Sequence, residues 1–135
     1  MEVIQSLAFI AVVLIIFFIA LYFIPLGHWF AATISGVRIS LMELLLMRLR
    51  RSPVKEIVEG LIVSTKGGLN LSRDQLEAFA LSGGNINNVV NGMVAAKRAG
   101  FPLSFQNAIK ADSQGLDIVN SVKEKLRETE KVKFE

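Results

Sequence analysis

Few side chains in this sequence are of the types that carry out chemistry, and their spacing does not build a catalytic site. His28 is the sole histidine and there is no cysteine, so a catalytic triad, a thiol nucleophile and a cysteine-based metal site have no basis in the sequence. Ser72 and Ser104 lack a histidine to activate them, and each directly precedes a helical pattern. We therefore interpret both serines as helix N-caps, and we expect neither an enzyme nor a bound cofactor or metal.

Acidic residues and paired glycines offer two further kinds of candidate site. The carboxylates that could act as a pair are those of Asp74, Glu77, Asp112 and Asp117. Asp74 and Asp117 are better explained as helix-start residues, where a negative charge meets the positive end of the helix dipole. The pairs Gly67-Gly68 and Gly83-Gly84 belong to no GxxxxGK[ST] motif, which favours helix ends over a phosphate loop.

The stretch from Val3 to Ile24 determines where in the cell the rest of the chain is held. It contains no charged residue and is rich in Ile, Leu, Val and Phe. As a helix it would be roughly 33 Å long, enough to cross a bilayer core, and its insertion would be favourable by about 5–9 kcal/mol. A cleaved secretory signal is the alternative, but such signals have a basic start and a shorter apolar core. The pattern predicts a transmembrane anchor.

A second, more mixed apolar segment covers residues 28–47. Three residues lie where side chains anchored at the membrane interface are expected: Tyr22, His28 and Trp29. Arg38 and Glu43 make a second crossing costly, so an interfacial or re-entrant helix is as well supported as a second span. Ser40 and Glu43 also resemble a capping box that opens a helix from Leu41 to Arg51.

Four basic residues follow closely, and we call them the basic collar: Arg48, Arg50, Arg51 and Lys55. Under the positive-inside rule they place the remainder of the chain in the cytoplasm. They would also attract anionic lipid headgroups, at about 1 kcal/mol per basic residue. Nucleic-acid binding is the competing interpretation, but a cluster this short, beside a membrane segment and without interleaved aromatics, favours the topology signal.

From Ser52 onward, helix signals recur with a period of about 32 residues. Ser52 is expected to cap a helix that starts with Pro53 in its first turn. The shift places Ile57-Val58 on Val89-Val90, Gly60 on Gly92, Leu71-Ser72 on Leu103-Ser104, Gly83 on Gly115, and Asn85-Ile86 on Asp117-Ile118. This pattern predicts stacked helical hairpins, with two copies and the start of a third. The tail from Lys123 to Glu135 is expected to be solvated and frayed beyond Leu126.

Three segments resemble the N-terminal region of the bacterial flotillin-like membrane scaffold proteins. They are MRLRR (Met47–Arg51), the stretch Gly68–Gly100, and the following LSFQNAIKADSQGLDIVNSV. The most specific part is the series Gly68-Leu69-Asn70, Gln75-Leu76-Glu77, Gly83-Gly84-Asn85, Val89-Val90-Asn91 and Ala95-Ala96. The resemblance implies an integral protein of the bacterial cytoplasmic membrane. It also implies location in ordered, raft-like microdomains, with self-assembly and recruitment of other membrane proteins.

In that family this region precedes a band-7 (SPFH) domain and a coiled coil that drives oligomerisation. This sequence ends at Glu135, about where the SPFH domain is expected to begin. We therefore expect a short relative, a disrupted gene or a fragment, and the scaffolding role of the coiled coil does not carry over. The resemblance supplies no catalytic residue.

We predict an all-α protein with an N-terminal transmembrane helix, a second membrane-associated helix and a small array of repeated helical hairpins. The expected regions are a membrane anchor (1–51), a cytoplasmic repeat domain (52–122) and a charged tail (123–135). The expected function is a non-enzymatic membrane-microdomain scaffold or adaptor that contacts lipid, forms homo-oligomers, recruits membrane proteins and binds no nucleic acid. The alternatives are a small pore-forming or lytic membrane protein and a non-functional fragment.

Overall fold

A computed structural model describes residues 1–134, with side chains through residue 133, and in this range the chain forms helices and no strand. The helices are α1 (Glu2–Phe23), α2 (Leu26–Ile34), α3 (Leu41–Leu49), α4 (Val54–Lys66), α5 (Arg73–Leu81), α6 (Ile86–Arg98), α7 (Phe105–Ser113) and α8 (Ile118–Phe134). The predicted all-α class is confirmed. Within the described residues, α1 alone is long and apolar enough to cross a membrane.

The second apolar segment forms two helices separated by a turn. Gly36, with φ of +80°, takes the left-handed conformation between α2 and α3. Each of these helices has nine residues, or roughly 14 Å of axial length, which is too short to span a bilayer core. The segment therefore folds as a hairpin, and the helix expected from Leu41 to Arg51 ends at Leu49.

The repeat extends one unit further toward the N-terminus than the sequence analysis indicates. The short helices α3, α5 and α7 begin at intervals of 32 residues, as do the long helices α4, α6 and α8. The turns keep the same spacing, because the left-handed residues are Gly36, Gly68 and Gly100 in one series and Arg51, Gly83 and Gly115 in the other. We call α2–α3 the first unit, α4–α5 the second and α6–α7 the third, and α8 begins a fourth.

The first helices of successive units pack against each other, α2 on α4, α4 on α6 and α6 on α8. The core lies between them and contains the apolar pairs that recur in the sequence, with Ile57 and Val89 fully buried. Two glycines permit the close approach. A Cβ on Gly60 would lie 2.6 Å from Cγ2 of Ile86, and one on Gly92 would overlap Ile118 in the same way one unit later.

Most predicted helix starts are confirmed by their caps. The side chains of Ser40, Ser72, Ser104, Asn85 and Asp117 each accept a hydrogen bond from the backbone N–H three residues later. The predicted cap at Ser52 is wrong, because α4 starts at Val54 without a side-chain cap and the Ser52 hydroxyl donates to Glu77 instead.

The predicted fraying of the tail is also wrong as far as Phe134, since α8 continues to that residue. Opposite charges three residues apart, such as Glu124 with Arg127 and Glu128 with Lys131, support an exposed helix of this kind. Glu135 lies outside the described residues.

Candidate membrane interface

The end of α1 is joined to α3 through Arg48. Its guanidinium carbon lies 5.9 Å from the ring centroid of Tyr22 and 5.5 Å from that of Phe23. Contacts of this type contribute about 0.5–1 kcal/mol at exposed sites. A basic residue of the collar and a predicted interface anchor are therefore in direct contact at the C-terminal end of the membrane helix.

The other two predicted anchors lie on the first two turns of α2. His28 is half-buried, and Trp29 has 36% of its surface exposed. The Trp29 carbonyl accepts a hydrogen bond of 2.8 Å from the Thr33 hydroxyl. Pro25 is buried at the junction of α1 and α2, and His28 and Trp29 lie three and four residues beyond it.

The four residues of the basic collar do not share one environment. Arg48 contacts the aromatic rings of α1, and Arg50 forms an ion pair with Glu77. Arg51 and Lys55 are exposed. Arg48 and Arg50 thus make contacts within the protein, although 49% of the Arg50 side chain remains exposed.

Arg51 has a backbone conformation that favours glycine. Its φ is +60°, and the equivalent residues of the next two units are Gly83 (+91°) and Gly115 (+75°). A side chain in this region costs about 1 kcal/mol relative to glycine. The first unit therefore keeps an arginine where the other units have the residue that the turn prefers.

The outward face of α3 is apolar, unlike those of its counterparts. Met42, Leu46 and Leu49 lie one turn apart and are exposed. The equivalent exposed residues are Asp74, Ala78 and Leu81 on α5, and Gln106, Lys110 and Ser113 on α7. The same face changes from apolar to mixed to polar along the array, while the three helices keep a length of nine residues and a spacing of 32.

The last residue of α2 follows the same trend. Ile34 has 69% of its surface exposed, whereas Lys66 and Arg98 occupy its position in the second and third units. Phe30, also exposed, lies one turn earlier on α2. Exposed side chains of this size are not expected to face water in a cluster.

The acidic candidates are engaged in separate structural roles. Glu77 has 8% of its side chain exposed and accepts hydrogen bonds from Ser52 Oγ (2.7 Å), Arg50 Nε (2.9 Å) and Arg73 Nη1 (3.0 Å). Burial alone would raise its pKa, but these donors and the two guanidinium charges outweigh that effect and lower the pKa of Glu77 below its usual value of 4.5.

Asp112 forms a second polar node. One of its oxygens accepts from Asn88 Nδ2 at 2.8 Å, and the other accepts from the backbone N–H of Asn85 at 3.2 Å. Asp117 caps α8, and Asp74 forms an ion pair with Arg73. Over residues 1–134, no three histidine, aspartate or glutamate side chains converge as metal ligands would.

Two features of this site are missing from the sequence analysis. They are the contact between Arg48 and the rings of α1, and the exposed apolar face of α3. A signal for the second was available, because Ser40, Ser72 and Ser104 are spaced by one repeat period. Aligning α3 with α5 and α7 on these serines sets Leu46 against Ala78 and Lys110.

Comparison with known proteins gives the family. The sequence profile of the flotillin-like protein FloA matches residues 6–132. The chain belongs to the flotillin-like protein FloA family. This membership agrees with the resemblance noted in the sequence and, together with the apolar α1, fits a membrane location.

Individual relatives in this family are similar over most of the chain. The flotillin-like protein FloA of Dictyoglomus turgidum is 42% identical over 117 residues, which cover 84% of this chain and 36% of the relative. The one from Bacteroides thetaiotaomicron is 42% identical over 110 residues, covering 81% and 32%. The chain spans about a third of the length of these curated relatives. No solved structure matches it.

Proposed function

We propose that this protein is a non-enzymatic membrane scaffold or adaptor whose first repeat unit lies in the membrane interface and whose later units project into the cytoplasm. The observation that carries the proposal is the change of the outward face of the short helices from Met42, Leu46 and Leu49 to Gln106, Lys110 and Ser113. Short helices of the same length and repeat spacing but with different exposed surfaces imply different surroundings. Lipid suits the first unit, and water suits the third.

Three features support this orientation. α1 provides the anchor, Arg48 of α3 contacts the rings at the end of α1, and Trp29 lies one turn into α2. Arg51 and Lys55 of the collar are exposed. In this arrangement they lie beside the interface, where anionic headgroups would attract them.

The microdomain role and self-association belong to the same proposal. Family membership supports a scaffold, and an array of stacked helical hairpins offers extended surfaces for protein contacts. We expect the anchored chain to concentrate in ordered membrane and to form homo-oligomers. Detergent-free membrane fractionation combined with crosslinking tests both expectations, and a freely diffusing monomer outside ordered membrane would contradict them.

The orientation can be tested separately by tryptophan fluorescence, because Trp29 is the sole tryptophan of the chain. The full chain is reconstituted in vesicles that contain lipids brominated at different acyl depths, and the quenching of Trp29 fluorescence is measured. We expect quenching that weakens in Leu46→Lys, because a lysine there would draw α3 and α2 away from the acyl chains.

Ala78→Lys is the matched control, since it places the same charge at the equivalent site of the second unit. We expect it to leave the quenching unchanged. Equal effects of the two substitutions, or no quenching in the unmodified chain, would contradict the orientation. Leakage of a dye from the vesicles would favour a pore-forming protein instead.

A further inference from the structure

The first helices of the second and third units, α4 and α6, run in the same direction. A Cβ on Gly60 would lie 2.6 Å from Ile86, and one on Gly67, at the end of α4, would lie 2.5 Å from Val94. The C-terminal ends of α4 and α6 therefore lie along one edge of the array, and their N-terminal ends lie along the opposite edge. The 13 residues of α6 separate the two edges by about 20 Å.

The edge formed by the C-terminal ends is basic. α4 ends with Lys66 and α6 ends with Lys97 and Arg98, and all three side chains are exposed. We call these three residues the basic edge. The Lys97 ammonium donates a hydrogen bond to the Gly68 carbonyl, whereas Lys66 and Arg98 form no ion pair within the described residues. The helix dipole favours cations at this position but gives them no partner.

A polar groove of about 490 Å³ opens at the opposite edge of the third unit, where α6 and α8 begin. We call it the asparagine groove, and its polar side chains are those of Asn85, Asn87, Asn88, Asn91, Asp112 and Asp117. None of its described lining residues is basic. Asp112 lies in the last turn of α7, where the helix dipole disfavours a negative charge, so the dipole does not account for the acidic lining.

A groove at this edge is a feature of the repeat. One unit earlier a groove of about 360 Å³ lies at the same place and remains open although α7 and α8 follow it. Its lining includes Pro53, Glu56 and Ala80, which are equivalent to Asn85, Asn88 and Asp112. Both grooves contain a carboxylate, and the later one adds amides.

The asparagine groove is suited to a guanidinium group. Each carboxylate oxygen of Asp112 accepts one hydrogen bond, from Asn88 or from the backbone of Asn85, and keeps a further lone pair. Asn87 and Asn91 are exposed and have amide oxygens that can also accept. An arginine offers five donors in a planar arrangement and no acceptor, so it matches a lining of carboxylate and amide oxygens.

We propose that copies of this chain associate side by side in the membrane, with Arg98 of one copy in the asparagine groove of the next. Anchoring through α1 gives every copy the same direction relative to the bilayer, so the third unit of one copy meets the third unit of its neighbour. In the same register, Lys66 meets the earlier groove with Glu56. This inference assigns a surface to the proposed self-association and rests on the proposed function.

The charges also select the symmetry of the contact. A two-fold axis along the membrane normal would place the basic edge against itself, or the asparagine groove against itself, and like charges would then oppose each other. A head-to-tail contact instead places the basic edge of each copy against the groove of the next. Such a contact produces a ring or a row in the plane of the membrane.

The test uses the full chain, which has no cysteine, in phosphatidylcholine vesicles. One version carries Ala99→Cys beside the basic edge, and a second version of different mass carries Ser113→Cys beside the groove. The two are mixed and oxidised, and the disulfide-linked pairs are separated by mass. We expect mixed pairs to predominate over pairs of two like chains, because only a head-to-tail contact brings the two different edges together.

Charge reversal localises the contact. Arg98→Glu in the Ala99→Cys chain should lower the yield of mixed pairs on the order of tenfold or more. Asn91→Lys in the Ser113→Cys chain should restore the yield with Arg98→Glu and lower it without that substitution. Arg127→Glu, the same charge change near the middle of α8, is the matched control and should leave the yield unchanged.

Equal yields of mixed and like pairs, or a mixed yield that Arg98→Glu does not change, would overturn the inference. In either case the linked pairs would still report self-association, so the proposed function would stand. A chain that stays monomeric would overturn both. Trp29 quenching measures the orientation in the membrane independently of these pairs.

Discussion

Arg50 and Glu77 form a bidentate ion pair across the boundary between the first and second units. Arg50 Nε donates to Oε1 at 2.9 Å, and Nη2 donates to Oε2 at 3.1 Å. The residues equivalent to Glu77 in the first and third units are Leu45 and Ile109. This pair is therefore particular to the junction between the proposed membrane unit and the rest of the array.

Glu77→Ala should destabilise the fold by about 1–3 kcal/mol, because Ser52 and the two arginines lose a buried acceptor. Glu77→Leu should cost less, since the repeat accepts leucine and isoleucine at this position and Arg50, with 49% of its side chain exposed, can turn to water. Thermal unfolding followed by circular dichroism measures both variants. Exposed Glu59→Ala is the control, and equal stability of Glu77→Ala and the unmodified chain would contradict the prediction.

The same carboxylate should make stability depend on acid. Burial opposes the charge on Glu77, but the Ser52 hydrogen bond and the Arg50 and Arg73 charges lower its pKa below 4.5. Because the folded pKa lies below the unfolded one, ionised Glu77 stabilises the fold fully above its unfolded pKa, and this contribution is lost as the pH falls through the folded pKa. Melting temperatures from pH 7 to pH 3 should fall more steeply than in Glu77→Gln, and parallel curves would contradict this.

The sequence predicted the features that depend on neighbouring residues. The cap at Ser40 requires only Glu43 three positions later, and such pairs are visible in any short window. Ser52 precedes a proline at the start of a helical pattern, which is also a local signal, yet its hydroxyl binds Glu77, which lies 25 residues away. The buried Glu77 carboxylate orients that hydroxyl more strongly than the backbone N–H groups at the start of α4 do. The residues next to Ser52 in the sequence do not indicate this distant partner.

The first repeat unit was not predicted from the sequence, for a different reason. Its side chains are apolar where those of later units are charged, so Ile34 matches neither Lys66 nor Arg98 by type. Likewise, the turn after the first unit has Arg51 at the position where the next unit has Gly83, so it lacks the glycine that would predict a turn. On the proposed location of the first unit in lipid, its exposed charged residues were replaced by apolar ones. The residue-type matches that identify a repeat were lost in this way, while the spacing of turns and caps remained.

Asn88 should be the side chain on which the end of the array most depends. Its Nδ2 donates to Asp112 at 2.8 Å and to the Leu116 carbonyl at 2.9 Å, and its Oδ1 accepts from the Ile118 N–H at 3.1 Å. One amide thus joins α6, α7 and the start of α8. Asn88→Ala should cost about 1–3 kcal/mol, with hydrogen exchange accelerated first in α8. Exposed Asn87→Ala should change little, and uniform acceleration over the chain would contradict the assignment.

Arg51→Gly should raise the stability of the fold and weaken its contact with anionic lipid. Relief of the left-handed φ of +60° should stabilise the fold by about 0.5–1 kcal/mol, as glycine already does at Gly83 and Gly115. The loss of an exposed charge should at the same time weaken attraction for anionic lipid by about 1 kcal/mol, or roughly fivefold. Thermal unfolding measures the first effect, and energy transfer from Trp29 to a labelled anionic lipid in nanodiscs measures the second.

Two further substitutions distinguish the causes. Arg51→Lys keeps both the charge and the strained turn, so both readings should stay near those of the unmodified chain. Arg51→Asn removes the charge and tolerates the left-handed conformation, so it should resemble Arg51→Gly with a smaller gain in stability. If Arg51→Gly left lipid contact unchanged, the strain at this turn would have no compensating membrane role. Arg51 would then be an ordinary surface residue in an unfavourable conformation.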